Sequence, residues 1–171
     1  AQANEVPPLA KDVTLFKNHL FFGNTISKHR LYFTVVGVGG SSLDYFSVTG
    51  DPQMSGTTIT NLSSTAGIAV GQMVEGTGVP AGSLITVVDS TTITIDGPVT
   101  TGGTGVALTI RDRISFSGTD YFANATEDAS SQYFKADSSG TVAENIDKTA
   151  RSLVSVVNTY TGNTSVYAYY L

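Results

Sequence analysis

The sequence predicts a mainly β chain with one long C-terminal helix. This is an α+β fold in which a split β scaffold carries an inserted small β-sandwich or barrel. Three observations predict it. Residues 49–110 hold short β-branched runs (TTIT, LITVV, TITI, VALTI) punctuated by Gly, Ser, Asp and Pro. The same stretch contains no Lys, Arg or His, and its charges are Asp51, Glu75, Asp89 and Asp96. LDYFSV before it and RISFSGTDYFA after it read as parts of one interrupted sheet, and only residues 141–159 show a sustained helical period. Residues 1–48 and 111–171 are therefore assigned to a discontinuous scaffold, and residues 49–110 to an inserted all-β domain of about five strands.

Residues 1–12 read as an extended lead-in, because Pro7-Pro8 opposes helix. Leu20-Phe21-Phe22 and Leu31-Tyr32-Phe33 are two strand cores joined through residues 23–30 as a hairpin. Residues 37–42 form a turn, and Leu43 to Val48 a third strand. Within the insert, strands are placed at 57–62, 72–75, 83–88, 91–95 and 105–110. Residues 64–70 are given a short helical turn. Asp89-Ser90 is read as a two-residue hairpin loop, and residues 76–82 (GTGVPAG) as a Gly/Pro corner. After the insert, Ser117-Gly118-Thr119 turns between strands at 113–116 and 120–123. Asp-Tyr-Phe at 44–46 recurs at 120–122 and suggests two similar edges of one sheet.

In the helix, Val142, Ile146, Ala150, Leu153 and Val157 fall on one face, so Asp at either 146 or 153 is expected to prevent folding. Thr141 and Glu144 have capping-box spacing, and Glu144 with Lys148 makes an i, i+4 pair. Residues 158–163 end the helix. Residues 164–171 alternate aliphatic and aromatic side chains as a strand apolar on both faces, expected to be covered on both.

Charged residues are 13% of the chain, roughly half the usual ~25%, and Thr, Ser and Gly make up the difference. Such a surface suits β structure packed on neighbours, since few charges need desolvating. A net charge of −5 without a basic patch argues against direct nucleic-acid binding. The lack of Cys excludes disulfides, Cys-ligated zinc and thiol catalysis. No apolar run is long enough for membrane insertion as a helix. The absence of a starting Met and the strand-like VYAYYL ending are expected of a piece of a longer polypeptide.

The motifs that carry chemistry are weak. His19 and His29 lack metal-ligand spacing. GTGVPAG lacks the Gly-Lys-Ser/Thr ending of a phosphate loop, and Gly-x-Ser-x-Gly is absent. Asp112, Asp120, Glu127 and Asp128 are the carboxylates from which a glycosidase pair would be drawn, with Glu127-Asp128 placed on a solvated turn. Tyr121, Phe122, Tyr133, Phe134 and the terminal tyrosines are either a sugar platform or core. The expectation is no catalytic residues, no cofactor, no metal site and no enzyme activity.

SGTTITNLSSTAGIAVGQMVEGTGVPAGSLITVVDSTTITI resembles small β modules of tailed-bacteriophage virion proteins and some bacterial surface proteins. Their frame is a Thr-rich strand, a vGq-V-GtGvPaG corner and a hairpin. PPLAKDVTLFKNHLFFGNTISKHRLYFTVVG resembles blade-like, often propeller-like strand pairs of large phage tail structural proteins. Asn18-His19-Leu20 stands where a basic residue more often precedes the Leu, and Thr34 where Ser is common. TARSLVSVVNTYTGNTSVYAYYL resembles the helix-plus-strand element of the same proteins. The resemblance implies architecture and carries over no site residue. It implies a virion structural segment (tail tip, nozzle, hub or fibre base) assembled in the host cytoplasm, with copies of itself and other virion proteins as partners. The alternatives are an adhesin-like module for a host-surface glycan and, third, a virion-associated hydrolase.

Overall fold

The computed structural model describes residues 9–16, 19–26, 29–31, 43–116, 118–163 and 166–170, with side chains described from residue 43 onward. The fold is mainly β with, among the described residues, a single helix near the C-terminus, as the sequence predicts.

Six strands build the larger sheet: β4 (Tyr45–Pro52), β5 (Thr58–Thr60), β6 (Met73–Gly76), β7 (Ile85–Val88), β8 (Ile93–Ile95) and β9 (Val106–Arg111). Their order is β6-β9-β4-β5-β8-β7. The two outer strands then meet. Met73 bridges Leu84, Val74 N–H donates to the Ser83 carbonyl (2.9 Å) and Ile85 N–H to the Gln72 carbonyl (2.9 Å). The sheet thus closes on itself as a small barrel, which removes its free edges. Closure is helped by β4, whose first six residues pair with β9 and whose last two pair with β5. A register shift between Ile85 and Val87 adds a local bend in β7. Strand alternation turns Val48, Ile59, Val74, Ile85, Ile93, Ile95, Leu108 and Ile110 inward, where Leu62 and Val99 complete the core.

The predicted insert strands each have a counterpart here, but three details differ. Residues 64–70 hold no helix, only a turn closed by Ile68 N–H to the Thr65 carbonyl (3.1 Å). Asp89 N–H donates to the Thr92 carbonyl (2.8 Å), continuing the Val88–Ile93 register, so the two-residue tip is Ser90-Thr91, one position on from Asp89-Ser90. The third scaffold strand, read as 43–48, is β4, which starts at Tyr45, crosses the boundary drawn at 49 and pairs with β9.

The second core lies under β10 (Arg113–Phe116), β11 (Thr119–Asn124), β12 (Tyr133–Lys135), the helix α1 (Val142–Thr159) and β13 (Val166–Ala168). This assembly is called the base below. β10 and β11 form the expected hairpin, with Gly118 at φ +80° in its turn, and β12 adds parallel to β11. Phe116, Tyr121, Ala123, Phe134, Ala136, Leu153, Val156, Val157, Val166 and Ala168 are packed together and share no residue with the barrel core. Tyr45 and Tyr121 lie on strands of different sheets, so the two Asp-Tyr-Phe segments do not line one sheet.

The helix starts where the capping box predicts. Thr141 Oγ1 accepts from Glu144 N–H, and the Glu144 carboxylate accepts from Thr141 N–H (2.8 Å). Its buried face differs from the expected one. Val142 and Ile146 are exposed (66% and 37%), while Thr149, Ala150, Ser152, Leu153, Val156 and Val157 are buried. The first two turns project beyond the base core, so periodicity assigned the stripe correctly but not where it ends. Lys148 pairs with Asp137 (3.8 Å), and Glu144 is engaged at the cap; the close i, i+4 ion pair is Asp147 with Arg151 (2.8 Å).

At the N-terminus, β1 (Leu9–Phe16) and β2 (His19–Ile26) form an antiparallel hairpin, and β3 (His29–Leu31) pairs in parallel with β13. The predicted hairpin partners therefore change. β2 pairs with a strand drawn partly from the lead-in, whereas Tyr32 and Phe33 lie outside the described residues, as does the 37–42 turn. β13 is covered on one face only, because Val166 and Ala168 are buried but Tyr167 is 38% exposed.

Candidate functional site

The four carboxylates singled out by sequence are each engaged in structural bonds. Asp112 accepts from Asp44 N–H (2.8 Å) and Gln72 Nε2 (2.7 Å), and Asp120 pairs with Arg113 (3.0 Å). Glu127 accepts from Ser152 Oγ (2.5 Å) and Ser155 Oγ (2.7 Å), tying an exposed turn to α1. Asp128 accepts from the Ser130 hydroxyl (2.6 Å) and the Ser131 hydroxyl (2.7 Å). Those hydroxyls hold its carboxyl below the usual range. This is the wrong direction for a general acid in glycoside hydrolysis, which needs a raised value.

The GTGVPAG segment links β6 to β7 as a corner. Gly78 sits at φ +82°, and a Cβ there would lie 1.9 Å from the Thr101 carbonyl oxygen. The backbone approach, not phosphate binding, explains this glycine. His19 and His29 fall in β2 and β3, and their side chains lie outside the described residues. Among the described residues no cluster of three His, Cys, Asp or Glu is arranged to hold a metal ion.

The aromatic residues divide by burial. Tyr121 (1% exposed) and Phe134 (0%) are core. Tyr121 meets Phe116 at 5.8 Å and the edge of Tyr160 at 6.3 Å between centroids, and burial pushes its hydroxyl pKa up. Phe122 and Tyr133 are T-shaped at 6.4 Å. Of the terminal tyrosines, Tyr167 and Tyr170 are exposed; Tyr170 stacks on Arg151 (4.9 Å) and Tyr167 contacts Tyr169 (4.7 Å).

A densely connected polar group sits where barrel meets base, on Arg111, a residue with no motif around it. Arg111 follows Ile110 in β9, so strand alternation turns Ile110 into the barrel and Arg111 out of it. There Arg111 is only 9% exposed. Its Nε (2.9 Å) and Nη2 (2.8 Å) reach Glu75 Oε2 on β6. Its Nη1 donates to the Ala123 carbonyl (3.2 Å) and Asn124 Oδ1 (2.8 Å) on β11. Tyr133 of β12 lies under the guanidinium (5.0 Å), and its hydroxyl donates to Glu75 Oε1 (2.7 Å). Burial, then Glu75, pushes Tyr133 up to about 12, so the phenol stays protonated as a donor. The signal was a base immediately after a stretch that has none. Its partner Glu75 is one of four acids in that stretch, and nothing local marks it out.

Side chains of α1 and of the turn just after it also close two strand edges. The Ser152 and Thr149 hydroxyls accept from the N–H groups of Lys135 (2.8 Å), the last residue of β12, and of Asp137 (3.0 Å), two residues on. Asn158 makes both amide bonds to the Ala168 backbone (2.9 Å each), and Asn163 does the same at Val166 (2.9 and 3.0 Å). In a strand, alternate residues point their backbone groups to one side, so these two amides stand in for a neighbouring strand on the β13 edge.

Among the described residues no helix is long and apolar enough to cross a membrane. No protein-family model matches the chain, and no curated protein matches it.

Proposed function

We propose that this chain is a structural component of a phage virion, tail-associated, that acts by assembling with copies of itself and other virion proteins. The observation that carries it is the exposed apolar set on the base. Val142 and Ile146 stand open on the stripe of α1 that is buried further along, and Tyr167 and Tyr170 stand open beside β13. On a chain with 13% charged residues, such groups suit a contact that costs little desolvation. The bonds that Asp112, Asp120, Glu127 and Asp128 make are structural, which favours assembly over hydrolysis. The resemblance to tail structural proteins supplies the setting.

The test is sedimentation of the chain beside a Val142→Glu, Ile146→Glu variant. Self-association lost in the variant with its helix content unchanged supports assembly. A chain that is monomeric at all concentrations and binds no virion protein overturns it.

A second reading, a displayed glycan-binding module, is favoured by one feature. The barrel end away from the base, residues 53–57 and 100–105, is exposed and rich in hydroxyl and backbone amide groups. A glycan array probed with the intact chain decides it; no binding removes this reading.

A further inference from the structure

We infer that Glu75, Arg111 and Tyr133 form a latch that fixes the orientation of the barrel on the base and couples the folding of the two cores. Among the described residues the chain passes between them at two places, residues 43–45 and 111–113, which lie side by side. Asp112 N–H donates to the Asp44 carbonyl (3.0 Å), and Asp44 N–H donates to Asp112 Oδ2 (2.8 Å). Two adjacent strands alone make a ribbon, and a ribbon bends and twists about its own line. Fixing the angle needs a contact off that line. β6 provides it, because it lies on the far side of β9 from β4.

Glu75 on β6 is held at both oxygens, one by Arg111 and the other by the Tyr133 hydroxyl of the base. Arg111 in turn is held by the base through Ala123 and Asn124. Glu75 pairs with Thr109 and Met73 with Arg111, so Glu75 and Arg111 are diagonal neighbours on the outer face of two bonded strands. The guanidinium therefore braces the barrel wall and the base sheet together. Gln72, donating to Asp112, adds a second contact from the same side. The two cores share no side chain, so this polar set is placed to transmit orientation between them. The inference does not depend on what the chain assembles with.

The experiment compares the full chain with Tyr133→Phe and with the double variant Glu75→Gln, Tyr133→Phe, by residual dipolar couplings and native-state amide exchange. The wild type is expected to fit one alignment tensor for barrel and base. The double variant should need two tensors. The amides of Ile93 and Ile110 should then exchange independently of those of Ala123 and Leu153, with rates diverging by roughly ten-fold, the scale set by losing a charge-assisted bond. The core chemical shifts of each part should be kept. Tyr133→Phe deletes one hydroxyl and keeps the ring under Arg111, so it decides the matter if the double variant does not fold; it should widen the spread of orientations. Variants that are less stable but keep one tensor and one shared exchange limit would overturn the latch and leave Arg111 as a local buried ion pair.

Discussion

Leu153→Ala and Val142→Ala change the same stripe of one helix, and the structure separates their consequences. Leu153 is fully buried between the base strands and α1, packed in the cluster with Phe134, Val157 and Val166. Removing three of its four side-chain carbons leaves a cavity that close-packed neighbours fill only in part, at a cost of about 2–5 kcal/mol. For a chain of this size each kcal/mol lowers Tm by about 2–4 °C, so a loss near 3 kcal/mol moves it by roughly 6–12 °C. Val142 is 66% exposed and lies in the first turn. Ala there removes little packing and improves helix propensity, so the change stays within about 0.5 kcal/mol. Urea unfolding followed by helix circular dichroism, with a common m value, measures both. The same contrast applies to Asp substitutions. Leu153→Asp is expected to abolish folding, whereas Ile146→Asp, at a 37% exposed site, is expected to fold, contrary to what the apolar period alone suggests. Equal destabilisation by Leu153→Ala and Val142→Ala would refute the placement of the helix on the base.

Three other outcomes are expected. Lys135 (2.8 Å), then Ser139, hold the Asp137 carboxyl well below the ordinary carboxylate range. A carboxyl with a depressed folded value adds stability above its unfolded value of about 4, and that stability drains as pH falls toward the folded value. Asp137→Asn should thus lower the urea midpoint at neutral pH and converge with wild type in strong acid; a gap constant with pH would contradict this. Gly78→Ala places a Cβ 1.9 Å from a backbone oxygen at φ +82°, whereas Gly82→Ala at φ +77° meets open space. Thermal unfolding should show Gly82→Ala costing only the left-handed strain of about 1–2 kcal/mol and Gly78→Ala clearly more. Asn158→Leu strips both amide bonds from Ala168. Unsatisfied backbone groups cost about 1–3 kcal/mol each, and an opened edge invites pairing. Lower stability together with concentration-dependent sedimentation is expected, and unchanged behaviour in both would argue against the surrogate-strand role.

Local chemistry determined much of this protein from the sequence alone. Alternating β-branched runs between Gly and Pro gave the strands of the barrel, because a side-chain period of two needs no distant partner to be recognised. Thr141 and Glu144 marked the helix start because a capping box closes within one turn. The tertiary structure alone decided what depends on contacts far apart in the chain. Whether β6 meets β7, where the base core ends along α1, and which strand pairs with β13 are set by packing between distant parts of the chain. The pairing of Arg111 with Glu75 joins positions 36 residues apart, and neither residue type carries that address. Burial and charge pairing are properties of the assembled surfaces, so the junction becomes visible only once both cores have formed.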